Sequence, residues 1–246
     1  MTAIWVVTGG ASGIGAQLVR ELIDAGEAVM VWDLARPSPD SSADYVAVDL
    51  SVPGSVEAVA AKVKGPVRAF VHCAGVPAPT SVTHANAAEQ LRFAFEVHVV
   101  SFVAAVRALA DQLEEGEGSI VAVASMAMDV ITPATLAYGV TKAALRRAID
   151  QLAVELGGRG IRVNGVAPGA IATPMTNDAW SNEAYARERR SFIPLSRQGQ
   201  PASVSSLIRF LASDAADYIT GETIYVDGGM RHGIFNLAAR GFAGSS

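Results

Sequence analysis

The chain has 246 residues, a net charge of −5, 50% hydrophobic residues and 17% charged ones. That length suits one domain with a sizeable core, and the acidic balance without a basic run excludes nucleic-acid binding as the main task. A single Cys excludes an intramolecular disulfide framework and points to a reducing, cytoplasmic setting, and no apolar run reaches membrane-spanning length.

Ala3-Ile4-Trp5-Val6-Val7 is an apolar run of strand type, which leaves no room for a signal peptide before it. Thr8-Gly9-Gly10-Ala11-Ser12-Gly13-Ile14-Gly15 follows, and Ala16 to Ile23 then has helical spacing. Glycines at a strand-to-helix turn let the backbone approach a pyrophosphate. The helix N-terminus adds N–H groups and the positive end of a dipole. Further strands are expected at Ala28–Trp32, Tyr45–Val48, Val67–Val71, Ser119–Ala124, Ile161–Ala167 and Thr223–Val226. Helices are expected near 14–25, 53–63, 86–115, 137–157 and 201–213. This alternation predicts an α/β fold: a doubly wound parallel sheet of Rossmann type, helices on both faces, one domain over residues 1–246.

Asp33 ends the second strand, twenty residues after Gly13. A carboxylate there binds the adenosine ribose hydroxyls and repels a 2′-phosphate. The glycine turn also lacks a basic residue, so NAD is favoured, while Arg36 keeps NADP open. Cys73 reads as a small buried filler, since nothing nearby lowers its pKa. The buried run Ile120 to Ala124 delivers Ser125 at a strand end, where ligands of open sheets bind. Met126, Met128, Val130 and Ile131 are expected to line an apolar substrate pocket.

Tyr138 and Lys142 are four apart, which puts both side chains on one helix face. A phenol is a poor base at neutral pH, and an ammonium held beside it favours the phenolate. Ser125 would hold a substrate oxygen next to that phenol and support its charge. The helix is expected to stop at Gly157-Gly158. Residues 174–200 are expected to form a mobile lid. In it Met175, Trp180, Tyr185, Phe192 and Ile193 face substrate, and Arg187, Arg189 and Arg190 form a solvated face or bind an anionic substrate. The tail 230–246, with Ile234, Phe235, Leu237 and Phe242, is expected to dock across a subunit interface.

The glycine turn Thr8 to Gly15 together with Tyr138-x-x-x-Lys142 resembles the short-chain dehydrogenase/reductase family, over roughly residues 3–229. The resemblance implies nicotinamide-dependent hydride transfer. It implies cofactor contacts from Gly9, Ser12, Gly13, Ile14 and Gly15, from Asp49 and Leu50 at the adenine, and from Ala74 and Gly75. Tyr138 and Lys142 would meet the nicotinamide ribose, and Pro168, Gly169, Ile171 and Thr173 the nicotinamide itself. His72-Cys73-Ala74-Gly75 departs from the family's Asn-Asn-Ala-Gly, and His98 stands where the family has Asn. Imidazole there is expected to titrate near neutral pH and complete a proton path. Asp49 reads equally well as a turn residue before Pro53. The implied assembly is a homotetramer or homodimer.

The expected function is therefore hydride transfer between NAD(H) and a secondary alcohol or ketone, with Ser125, Tyr138, Lys142 and His98 as catalytic residues. No metal, nucleic-acid or membrane partner is expected. The rival readings are an NADPH-dependent ketone or 3-oxoacyl thioester reductase and a dinucleotide-binding sensor without turnover.

Overall fold

The computed structural model describes residues 3–113 and 118–235. Seven strands form one sheet: β1 Ile4–Thr8, β2 Ala28–Asp33, β3 Asp44–Ala47, β4 Val67–His72, β5 Ser119–Val123, β6 Arg162–Pro168 and β7 Thr223–Val226. Their order is β3-β2-β1-β4-β5-β6-β7, and every pairing is parallel. The order reverses between β1 and β4, so a crevice opens beyond their carboxyl ends.

The central strands β1, β4, β5 and β6 bury both faces, which is why they read as continuous apolar runs rather than alternating ones. Successive side chains point oppositely, so Val6 joins one core and Trp5 and Val7 the other. The first core holds Phe70, Phe102, Leu109, Leu145 and Ile149; it lies under α2 (Ser55–Ala60), α4 (Ser101–Leu109) and α5 (Leu136–Gly157). The second holds Leu18, Leu22, Val204, Ile208 and Leu211, under α1 (Gly13–Asp24) and α8 (Pro201–Ala212). The doubly wound sheet expected from the alternation is thus the one observed.

One stretch departs from expectation. The long helix expected over 86–115 is three pieces: α3 Ala87–Phe95, a π turn Glu96–Val100, and α4. In the π turn the Ser101 N–H bonds Glu96 O, five residues back, so the helix gains a residue without a break in its apolar pattern. The lid region 174–200 contains α6 (Pro174–Trp180) and α7 (Glu183–Ser191). Helix α5 stops at Gly157 with Gly158 as its cap, as expected, and the left-handed residue beyond it is Gly160, with φ 74°. No helix among the described residues is long and apolar enough to cross a membrane. The tail expectation rests on side chains outside the described residues.

Candidate active site

One cleft lies over the carboxyl ends of β1, β2, β4, β5 and β6. Its walls include the glycine turn, Asp33, Asp49 and Leu50, Ala74 and Gly75, Ser125, Tyr138 and Lys142, and Pro168, Gly169, Ile171 and Thr173. Every residue assigned above to catalysis or cofactor contact lines it except His98, which sits directly behind.

The glycine turn is close-packed. A Cβ on Gly15 would lie 2.1 Å from the Gly9 carbonyl oxygen, and one on Gly9 would lie 2.7 Å from the Ala74 backbone. The start of α1 is free to receive an anion. Its N-cap Ser12 makes no side-chain cap, and its first turn holds no acidic residue. Gly15→Ala should therefore weaken binding of a nicotinamide dinucleotide at least 100-fold, because the turn must open to admit a methyl group. Calorimetric titration checks this, and wild-type affinity would refute it.

Asp33 braces that turn. Its Oδ2 accepts from Ala11 N–H at 2.9 Å and its Oδ1 from Ala35 N–H at 3.0 Å. Arg36 stacks on the Tyr45 ring, 5.0 Å from its centroid, and the Tyr45 hydroxyl donates to Leu34 O at 3.2 Å. Asp49 keeps both characters expected of it. It lines the cleft, yet its Oδ1 accepts from Ser51 N–H at 2.9 Å and Ser51 Oγ at 2.7 Å, which hold its carboxyl below the usual range.

Ser125 lies two residues past the end of β5 and accepts from Ala127 N–H at 3.1 Å, so its hydroxyl proton is left to donate. It faces the Tyr138 phenol. Burial pushes that phenol above its ordinary value, and only the Ser125 contact opposes it. Lys142 is 3% exposed, and its Nζ donates to Val123 O at 2.7 Å while lying 5.8 Å from the Tyr138 ring centroid. Burial pulls its own pKa down to about 8. The expectation that Lys142 makes the phenol acidic is corrected here. Burial is the largest influence on each group, and the ammonium is tied to the Val123 carbonyl rather than to the phenol.

His98 is fully buried, edge-on to Tyr138 at 5.7 Å between ring centroids. Its Nε2 accepts from Val76 N–H at 3.0 Å, and its Nδ1 meets Thr141 Oγ1 at 2.8 Å. Burial first, and Lys142 next, drive its pKa down to about 2, so it does not titrate near neutral pH as expected. Cys73 lines the cleft with its thiol pushed up to about 12 by burial, in line with an inert filler.

The expected apolar loop does not line the cleft. Ile131 is 94% exposed, and Met126, Met128 and Val130 lie elsewhere; Val76 and Met175 are among the apolar walls instead. Of the lid, Pro174, Met175 and Thr176 line the cleft, while Trp180, Tyr185, Phe192 and Ile193 do not; Arg190 pairs with Glu183 at 2.6 Å and Arg189 stacks on Tyr185, as a solvated face. Sequence reading missed Thr8 and Thr141. Thr8 Oγ1 accepts from Ala74 N–H at 3.2 Å, and Thr141 Oγ1 donates to Ala137 O at 2.8 Å. Their partners lie on other elements or inside the helix, and no spacing signals them.

The family described as enoyl-(acyl carrier protein) reductase matches residues 9–231. A tropinone reductase homolog of Arabidopsis thaliana is 35% identical over 94% of this chain and 79% of its own. A 3alpha-hydroxysteroid dehydrogenase of Mediterraneibacter gnavus is 33% identical over 92% of this chain and 96% of its own. The solved structure of a 4-hydroxyisoleucine dehydrogenase complexed with NADH has TM-score 0.88 and 27% identity, covering 94% of this chain and 99% of that one. With a glycine turn, a Tyr-x-x-x-Lys helix and these relatives on one parallel sheet, the chain belongs to the short-chain dehydrogenase/reductase family of oxidoreductases.

Proposed function

We propose that the protein transfers a hydride between NAD(H) and an apolar, cyclic secondary alcohol or the matching ketone, with Tyr138 exchanging the proton. One observation carries this reading: Ser125, Tyr138 and Lys142 share a cleft with the glycine turn and the open N-terminus of α1. The close-packed glycines, the uncapped helix end and the Asp33 carboxylate fit a dinucleotide without a 2′-phosphate. When bound, that cofactor supplies or accepts the hydride at its nicotinamide ring.

The protein's residues do the rest. Ser125 donates to the substrate oxygen and fixes it beside the phenol. Tyr138, protonated at neutral pH because it is buried, gives its proton to a ketone oxygen or takes one from an alcohol at higher pH. Lys142 holds charge next to both, and Met175 and Val76 turn the cleft apolar at this level. The hydroxysteroid name of the Mediterraneibacter gnavus relative supports a cyclic substrate.

NAD is preferred because Asp33 opposes a 2′-phosphate and Arg36 is engaged by Tyr45. We expect kcat/KM with NAD to exceed that with NADP at least 100-fold, measured by absorbance at 340 nm against a panel of secondary alcohols. Asp33→Ala should erase most of the difference. A wild-type preference for NADP sinks the assignment. The exposed apolar residues Val100, Val103, Val140 and Val154 on the π turn, α4 and α5 support a homodimer or homotetramer. A free Cys73 fits a cytoplasmic setting.

A further inference from the structure

We propose that His72 and His98 are positioning residues for Tyr138: two neutral imidazoles in opposite tautomers that bolt β4 and the π turn to α5. The proposal rests on the reading of Tyr138 as the proton-exchanging group. Both residues stand where the family pattern has Asn, and both are fully buried.

The tautomers follow from which partners only donate or only accept. A backbone N–H cannot accept, so the Val76 amide at 3.0 Å requires an unprotonated Nε2 on His98. The His98 proton is then on Nδ1 and goes to Thr141 Oγ1 at 2.8 Å. The Thr141 hydroxyl in turn donates to Ala137 O at 2.8 Å and Tyr138 O at 3.1 Å, inside the first turns of α5. The last acceptor is the backbone of the catalytic tyrosine itself.

His72 runs the other way. Ala74 N–H donates to Thr8 Oγ1 at 3.2 Å, and Thr8 Oγ1 meets His72 Nδ1 at 2.9 Å. A hydroxyl can donate or accept at Nδ1, so that bond alone does not set the tautomer; the carbonyls that face Nε2 are acceptors and place the His72 proton there. That atom is buried with no partner at hydrogen-bond distance, and it faces the Val97 and His98 carbonyls of the π turn. The wide turn explains why acceptors stand there. Ser101 N–H has gone to Glu96 O, so Val97 O lacks its helical partner and takes the Ser101 hydroxyl at 2.7 Å. Phe102 seals the ring from the other side, 5.4 Å between centroids.

Neither ring has room for a second proton. Lys142 is the charged group bearing on both, the rings oppose each other, and Tyr138 and Cys73 are the neutral titratable neighbours. Burial and Lys142 hold His72 down to about 3 and His98 to about 2. With both nitrogens of His98 committed, it is a brace and not a relay. An Asn at position 98 is too short to span Val76 and Thr141 together, and a displacement of about 1 Å at the phenol costs on the order of 100-fold in rate.

The test combines spectroscopy and kinetics. Long-range proton–nitrogen correlation spectra of the 15N-labelled protein, with signals assigned by His72→Asn and His98→Asn, should show one ring protonated at Nδ1 and the other at Nε2. Neither should titrate between pH 5 and 9. His98→Asn and Thr141→Val should each lower kcat about 10- to 100-fold, with the NADH dissociation constant and the pH–rate midpoints unchanged. Thr141→Ser should restore most of kcat. A ring that titrates in that range, the same tautomer on both rings, or a shifted pH–rate midpoint overturns the proposal. So does Thr141→Val with a lowered melting temperature and full kcat. The spectra read the brace without turnover, so failure to find a substrate would sink only the proposed reaction.

Discussion

Tyr138→Phe should lower kcat by about 10⁴-fold, the upper range for loss of a positioned acid–base group. Phe keeps the ring, so the edge contact with His98 at 5.7 Å and the packing of α5 survive. NADH affinity, read by fluorescence titration, should stay within about threefold. Only the proton is removed, and Ser125 cannot replace it, because its hydroxyl holds the substrate oxygen rather than exchanging charge. The pH dependence of the parent follows from burial. The phenol is pushed up, so it stays protonated at neutral pH and ketone reduction should run there without limitation from this group. Alcohol oxidation needs the deprotonated form and should accelerate as pH rises. Oxidation that slows from pH 7 to 9 would contradict this, as would a Tyr138→Phe variant with more than a tenth of parental turnover.

Lys142→Met should have opposite effects on activity and stability. Turnover should fall at least 1000-fold, because the charge beside Ser125 and Tyr138 is lost. Stability should rise. Burial moves the Lys142 pKa from 10.5 to about 8, so below pH 8 the folded chain carries a charge that water would hold better. A shift of that size opposes folding by roughly 3 kcal/mol at neutral pH. Loss of the 2.7 Å bond to Val123 O returns about 1–2 kcal/mol of that. The melting temperature should therefore rise by about 2–5 °C at pH 7. Between pH 8 and 10.5 the unfolded chain still binds the proton that folded Lys142 has released, so wild-type stability increases there and the advantage of Met shrinks. Calorimetry at pH 7 and 10 measures both. A variant that melts more than 5 °C below wild type at pH 7 refutes the claim that this cation is held against its own solvation. Such a cost is the usual sign of a group kept for activity.

Much of the site was legible because its signals are local. The turn from Thr8 to Gly15 declares itself by glycines between an apolar run and a helical one. Tyr138 and Lys142 declare a shared face by spacing alone. Asp33 is found by counting from the turn. The apolar loop after Ser125 was misplaced for the same reason. Its composition suits a pocket, but its direction is set by turn contacts such as the Ser125 cap on Ala127, and Ile131 points to solvent.

Local patterning was enough to specify the parallel sheet and the residues gathered at the strand ends, because periodicity and turn chemistry act over a few neighbouring residues. The direction of the pKa shifts and the state of the histidines came from the packed fold. Those depend on groups remote in the chain: Val123 O lies 19 positions from Lys142, and Val76 N–H lies 22 from His98. Desolvation depends on what the whole fold packs around a group. No local pattern records that, so a phenol expected to be acidic is held protonated, and an imidazole expected to titrate is held neutral.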